Sequence, residues 1–302
     1  MSPSPRIKAD YPLARLTTVR TGGDADWFAR PGSMDELLEL LRWADAEGIE
    51  VGVVGSGSNL LISDLGFRGL VLKLDEDLAT IEQQGKRLVC GGGARLPQAA
   101  AQSARAGLSG LEFGVNIPGT VGGAVKMNAN AYGGDLSKVL EWVLIATPAG
   151  AERRVPADLG FQYRKSNLKR REVVARASFA LEPDDPSEVK ATLAGMRAQR
   201  REAQPSGIKT FGSTFKNPED PRAEGRSAGV LLDQAGCRGL QVGGARFSEK
   251  HANFVENMGE ATTADVVALM AEGRRRVREQ FGVTLEPEVQ VLGEVDTRGI
   301  YE

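Results

Sequence analysis

A single histidine, His251, stands among 302 residues, and that scarcity removes most of the common catalytic constellations. Serine and cysteine relays, multi-histidine metal sites and imidazole proton shuttles would all have to run through one side chain. It lies in Ser248-Glu249-Lys250-His251-Ala252-Asn253-Phe254, directly before an apolar run, and reads as a partly buried structural imidazole. The two cysteines, Cys90 and Cys237, are too few and too far apart for a disulfide framework or a zinc site. A reducing, cytoplasmic setting without a metal centre fits best. No apolar run reaches the roughly 18 residues of a membrane span. Met1 to Asp10 also lack the apolar core of a signal peptide. The 38 basic residues are offset by 40 acidic ones, so nothing favours nucleic acid. What is left for chemistry is a bound cofactor with carboxylates, hydroxyls and arginines.

Glycine is where the chain is rich. Asn116-Ile117-Pro118-Gly119-Thr120-Val121-Gly122-Gly123-Ala124 is followed closely by Met127-Asn128-Ala129-Asn130-Ala131-Tyr132-Gly133-Gly134. Such a stretch should not form a helix interior and makes a poor continuous strand. Its exposed N–H groups suit a pyrophosphate, and Asn130 suits a left-handed backbone position. A second loop, Gly55-Ser56-Gly57-Ser58-Asn59, follows Val51-Gly52-Val53-Val54. It fails the dinucleotide fingerprint because Leu60 occupies the third glycine position. No phosphate-binding G-x-x-x-x-G-K-[ST] motif occurs either. Together the two loops suggest one large phosphate-bearing cofactor held between them.

Length suits two or three modest domains. Ser33-Met34-Asp35-Glu36 is a capping box ahead of Leu37, Leu38, Leu40, Leu41 and Ala44, with Gly48 as the stop. Strands are expected over 51–54, 69–74, 87–90, 139–147, 151–155 and 173–181, and helices over 96–106 and 187–203. The second of these helices has Val189, Leu193 and Met196 on one side and ends at a plausible hinge, Gln204-Pro205-Ser206-Gly207. Beyond it, a short helix is expected from Ala228 to Ala235 and a longer one from Thr263, with Val266, Val267, Leu269, Met270 and Val277 inward. On that helix Arg274-Arg275-Arg276 reads as a solvated face.

Three spots carry further chemistry. Tyr163-Arg164 sets an aromatic beside a guanidinium suited to bidentate carboxylate binding. Phe211-Gly212-Ser213-Thr214-Phe215-Lys216-Asn217-Pro218 exposes a serine in a turn. Leu285-Glu286-Pro287-Glu288-Val289 sets a carboxylate where an apolar strand begins. Each also has a plain structural reading: a surface ion pair, a helix-capping serine and a strand-edge acid.

In this order the motifs resemble the MurB family, the UDP-N-acetylenolpyruvoylglucosamine reductases of bacterial cell-wall synthesis. The matching stretches are 55–61, 117–124 with Met127-Asn128 and Ala131-Tyr132-Gly133, Tyr163-Arg164, 212–218, 243–245, 251–254 and 285–293. One departure is Asn130, where the family commonly has glycine. The resemblance implies an α+β fold: a two-part FAD-binding module of the vanillyl-alcohol-oxidase type plus a smaller C-terminal α/β substrate domain. It implies a first FAD subdomain at 1–75 joined by 287–302, a second at 76–205, and a substrate domain at 206–286. The short interval from Arg164 to Ser213 is similar to the shorter family type, which lacks an inserted tyrosine-bearing loop.

The activity so implied is NADPH-dependent reduction of UDP-N-acetylglucosamine enolpyruvate to UDP-N-acetylmuramate, with noncovalent FAD as hydride donor. Arg164, Ser213 and Glu288 take the catalytic positions, with Ser213 as proton donor. Val54, Gly55, Ser56, Gly57, Ser58, Asn59, Pro118, Gly119, Thr120, Gly122, Gly123, Asn128 and Gly133 would hold the cofactor. Tyr132, Tyr163, Lys216 and Asn217 would meet the UDP-sugar, and Glu286 a structural role. The partner is thus a small molecule, with no nucleic acid and no membrane insertion, and a monomer or weak oligomer is expected. Competing readings are an FAD-dependent alcohol oxidase on the same scaffold and a non-catalytic nucleotide-sugar binder.

Overall fold

The computed structural model describes residues 7–203, 205 and 207–301. Gln204 and Ser206 of the expected hinge, and Met1 to Arg6, lie outside the described residues. The fold is α+β, and the chain divides into two compact units. One comprises Met1–Asp10, Asp26–Ser56 and Gly69–Arg200; the other comprises Tyr11–Ala25, Gly57–Arg68 and Arg201–Glu302.

The first unit begins its helical content at Met34–Ala46. Ser33 Oγ accepts from the Glu36 N–H at 3.2 Å, while the Glu36 carboxylate reaches back to the Gly32 N–H at 2.8 Å. Both ends of the expected box are therefore used, with the return bond shifted by one residue. Leu37, Leu40, Leu41 and Ala44 form the buried stripe, packing with Val51, Leu70 and Leu72 in one core. Val51–Val53 pairs in parallel with the strand Phe67–Leu72, in the register Val51 to Leu70 and Val53 to Leu72. A five-stranded antiparallel sheet follows in the order Gly150–Arg154, Leu140–Thr147, Val173–Ala180, Arg87–Gly91, Ile81–Gln84. Helices Leu96–Arg105 and Val121–Lys126 pack beside its buried residues in a second core with Phe113, Val143, Ile145 and Phe179. The charged helix Pro186–Ala203 adds Val189 and Leu193 to that core, with Met196 partly buried against it.

Val121–Lys126 corrects the expectation that the long glycine stretch avoids helix. Thr120 caps this short helix, its hydroxyl accepting from the Gly123 N–H at 3.3 Å. Glycine is used there for close approach. The Gly122 N–H donates to the Gly92 carbonyl at 2.8 Å, and a Cβ on Gly122 would sit 3.0 Å from that oxygen. Gly92 is equally constrained, since its own Cβ would fall 1.8 Å from the Val174 carbonyl. The 91–93 glycines thus let helix and sheet backbones touch.

The second unit has a four-stranded antiparallel sheet ordered Thr210–Ser213, Phe254–Asn257, Ala245–Phe247, Gln241–Val242. Helices Ala228–Gln234 and Thr263–Phe281 bury Leu231, Leu232, Val266, Leu269, Met270 and Val277 in a core with Phe211, Phe215, Phe247 and Val255. Thr262 and Asp265 form a reciprocal capping box, and Gly282 closes the helix in a left-handed conformation. Gln290–Leu292 pairs in parallel with Leu60–Ile62 in the same unit.

The triple arginine on this helix is not one solvated face. Arg275 and Arg276 pair with Glu272, but Arg274 is buried, with 9% of its surface exposed. Its Nε donates to the Leu285 carbonyl at 3.0 Å and an Nη to the Gly299 carbonyl at 3.1 Å.

Candidate active site

In the first unit, Val54 is buried and its N–H donates to the Leu72 carbonyl at 2.9 Å, which fixes where the strand opens into Gly55 and Ser56. Lys73 Nζ, lowered in pKa first by burial, donates to the Gly55 carbonyl. Ser56 Oγ donates to the Pro118 carbonyl, tying the two glycine loops together. A side chain at Gly55 would place its Cβ 2.5 Å from Thr120 Oγ1, so only glycine permits this junction. Gly119 accepts from the Leu96 N–H at 3.1 Å through its carbonyl, and a Cβ there would meet only Ile117 Cγ2, 3.8 Å away. Gly123 is exposed.

The chain beyond the helix is unusual in its backbone. Asn128, Tyr132 and Gly133 take φ of 41°, 52° and 79°, whereas Asn130 lies in the two-residue strand Asn130–Ala131. The left-handed positions therefore flank Asn130 rather than include it. Asn128 Nδ2 donates to the Gln162 carbonyl at 3.2 Å. Tyr132 Oη accepts from Asn116 Nδ2 at 3.0 Å. Arg164 has φ of 56° in a turn closed by Gln162 and Lys165. One guanidinium N–H donates to the Asn130 carbonyl at 2.9 Å, and the guanidinium carbon lies 5.3 Å from the Tyr163 ring centroid. The Arg164 turn and the 128–132 segment are thus one hydrogen-bonded structure, which brings Asn128, Tyr132, Tyr163 and Arg164 together.

In the second unit, Ser213 ends the strand Thr210–Ser213 instead of capping a helix. The ladder to the neighbouring strand is irregular between Thr210 and Ser213, and Gly212 lies at φ of 81°. A bulge of this kind re-aims the following side chain. Phe211 and Phe215 anchor the segment on either side, both buried. Asn253 clamps it: Oδ1 accepts from the Phe215 N–H at 2.9 Å and Nδ2 donates to the Phe215 carbonyl at 2.8 Å. The Glu288 N–H donates to the Thr214 carbonyl at 2.8 Å, and Asn59 Nδ2 donates to the Glu288 carbonyl at 3.2 Å. Ser213, Glu288 and Asn59 are thereby joined, and Ser58 and Asn59 are half-buried beside Gly57, whose carbonyl accepts from the Thr18 N–H at 3.0 Å.

Neighbouring polar residues have local partners. Lys216 Nζ pairs with Glu286 at 3.1 Å, and Asn217 Oδ1 accepts from the Ala228 N–H at 3.1 Å. His251 Nδ1 accepts from the Asn253 N–H at 3.2 Å, and burial lowers its pKa. Asn116, Asn253, Lys73 and Arg274 were not legible as site supports, because each acts on groups distant in sequence: Asn116 on the Tyr132 hydroxyl and the Met196 carbonyl, the others on main-chain atoms. The only hint was the position of Asn253 in the 251–254 motif. Among the described residues no cluster of His, Cys, Asp or Glu could hold a metal ion, and no helix is long and apolar enough to cross a membrane.

Two features of the first unit fit a flavin nucleotide. One is the uncrowded approach to Gly119, where a Cβ would make only an ordinary contact with Ile117 Cγ2; the other is Asn128 Oδ1, a buried acceptor with no protein donor. The class this defines is a flavoprotein oxidoreductase: residues 25–155 match the FAD binding domain family. Residues 204–292 match the family described as UDP-N-acetylenolpyruvoylglucosamine reductase, C-terminal domain. The chain is 44% identical over 290 residues to UDP-N-acetylenolpyruvoylglucosamine reductase 2 of Symbiobacterium thermophilum, covering 95% of this chain and 92% of that one. It is 43% identical over 289 residues to the reductase of Gluconobacter oxydans, at the same coverage. The crystal structure of the Thermus caldophilus reductase superposes with a TM-score of 0.80 at 36% identity, covering 95% of this chain and 98% of that one. The chain belongs to the UDP-N-acetylenolpyruvoylglucosamine reductase family, and its cofactor is FAD.

Proposed function

We propose that this chain reduces the enolpyruvyl ether of UDP-N-acetylglucosamine to the lactyl ether of UDP-N-acetylmuramate, in the cytoplasmic synthesis of peptidoglycan precursors. The observation that carries the reading is the junction of Ser213 and Glu288 through the Thr214 carbonyl, behind a glycine bulge. When bound, FAD recharged by NADPH would be the source of the hydride that the terminal carbon of the conjugated vinyl group takes up. Charge then develops on the substrate carboxylate, and Arg164 stabilises it with a guanidinium held on the Asn130 carbonyl and the Tyr163 ring. Ser213 gives its hydroxyl proton to the neighbouring carbon, a step that a strongly basic carbanion makes feasible for a weak acid. Glu288 orients that intermediate.

Val54 to Asn59, Pro118, Gly119, Thr120, Gly122, Gly123, Asn128 and Gly133 bind the cofactor in this reading. Tyr132, Tyr163, Lys216 and Asn217 meet the diphosphate and sugar. Residues 1–75 with 287–302, and 76–205, form the flavin module, and 206–286 the substrate domain.

The deciding experiment measures NADPH oxidation by purified, yellow protein on addition of UDP-N-acetylglucosamine enolpyruvate. Rapid substrate-dependent oxidation supports the reading. A folded, FAD-loaded protein that leaves NADPH untouched with this substrate refutes it, and oxygen uptake with an alcohol instead would favour an oxidase.

A further inference from the structure

We propose that the side-chain carbonyl of Asn128 accepts a hydrogen bond from the imide N–H of the bound isoalloxazine ring, while the amide of the same side chain holds the turn that carries Arg164. The inference rests on the FAD-dependent reading above and assigns one atom within it.

Asn128 is 5% exposed and sits at φ of 41°, a conformation that only a few residue types tolerate. Its Nδ2 faces the Gln162 backbone carbonyl at 3.2 Å. A carbonyl can only accept, so that contact fixes which end of the carboxamide is nitrogen. Oδ1 is then buried with no hydrogen-bond partner. Buried acceptors in native proteins are nearly always satisfied, so this one calls for a donor that the protein itself does not supply.

The position agrees with a flavin. The helix Val121–Lys126 starts at Thr120, against which Gly55 packs, and Asn128 follows its last turn. At about 1.5 Å of rise per residue the short helix is roughly 9 Å long, and Asn128 lies two residues past its end. An oxidised isoalloxazine ring carries one N–H, on the imide nitrogen between its two carbonyls. An acceptor that serves the ring must therefore meet that atom.

The donor end has its own consequence. Gln162 and Lys165 exchange two backbone hydrogen bonds, of 3.0 and 3.2 Å, around Arg164. Arg164 also reaches the Asn130 carbonyl at 2.9 Å. One carboxamide thus links the edge of the ring to the turn that presents the guanidinium.

The test compares binding of FAD and N3-methyl-FAD to full-length protein stripped of flavin, followed by quenching of flavin fluorescence. Wild-type protein should prefer FAD by about tenfold, the value of one buried hydrogen bond. Asn128→Ala should bind FAD about tenfold more weakly and lose the preference. Equal binding of both flavins by the wild type overturns the assignment, as does an Asn128→Ala protein that keeps the full preference. The wild-type comparison decides even if the variant does not fold. Wild-type protein that binds neither flavin overturns the flavoenzyme reading itself, a result distinct from equal binding.

Discussion

The backbone N–H of Glu288 donates to the carbonyl of Thr214 across 2.8 Å, so the acid and the hydroxyl of Ser213 hang from the two ends of one short link. The two residues are 75 positions apart, from 288 − 213, and no local pattern relates them. Gly212 supplies the other half of the geometry. At φ of 81° it takes a conformation that L side chains adopt at a cost of about 1–2 kcal/mol. Gly212→Ala should therefore lower kcat for the enolpyruvyl sugar by about tenfold or more, because the bulge that aims Ser213 relaxes. Flavin reduction by NADPH should stay near wild type in rapid mixing. A variant with wild-type kcat would show that the bulge does not position the hydroxyl.

Ser213→Ala removes the proposed proton donor without touching the clamp on Phe215. The expected outcome is NADPH reduction of the flavin at the normal rate and a loss of about 10²–10⁴ in the enolpyruvyl half-reaction. Both halves unaffected would take Ser213 out of the chemistry.

Arg164→Lys keeps the charge but loses the planar fork and the stacking on Tyr163. Turnover should drop by about 10²-fold or more, in keeping with loss of a preorganised partner for developing charge. Wild-type turnover in this variant would mean that charge alone suffices.

Stability at low pH should depend on Glu272. Hydrogen bonds from Arg275 and then Arg276 pull its pKa from 4.5 down to about 2. A depressed carboxyl contributes its full stabilisation above the unfolded value near 4.5 and loses it as pH falls towards about 2. Its side chain is 27% exposed, so the pair is screened and worth roughly 0.5–1 kcal/mol at neutral pH. Glu272→Gln should be slightly less stable at pH near 6 and equal to wild type near pH 2, by urea titration. An unchanged difference across that window would contradict the sign.

The sequence made the periodic elements legible because burial and capping repeat within a few residues. Ser33 to Gly48 announces its helix through cap residues, an apolar stripe and a glycine stop, and the helix from Thr263 was legible from its apolar stripe. The helix at Val121–Lys126 was hidden, because Gly122 serves close contact with Gly92 and not flexibility. Asn130 misled for a related reason: the left-handed φ values fall on Asn128 and Tyr132, whose side chains are tied by hydrogen bonds to the distant Gln162 and Asn116. Arg164, Ser213 and Glu288 could be picked out by motif. Asn253 and Arg274, which hold the backbone around Ser213 and Glu288, could not, since their partners are main-chain atoms that any sequence possesses.

Arg274 shows how much rests on such a residue. Charge patterning assigns it to the solvent with Arg275 and Arg276, yet it points the other way and is buried. It donates to the carbonyls of Leu285 and Gly299. Desolvation lowers its pKa from the usual arginine value, with the nearby Arg278 adding to the shift, but the group stays charged at any working pH. Arg274→Met keeps most of the volume and leaves both carbonyls without this donor. The cost should be about 2–4 kcal/mol, from the unsatisfied acceptors less the relieved burial of charge. Because Leu285 lies three residues before Glu288, from 288 − 285, kcat should fall as well while FAD stays bound. Arg274→Lys should recover little, since one ammonium does not span both carbonyls as the fork does. Urea midpoints and turnover of the two variants check this together: a fully stable, fully active Arg274→Met protein would mean that the carbonyls find other donors and that the Glu288 segment does not depend on this guanidinium.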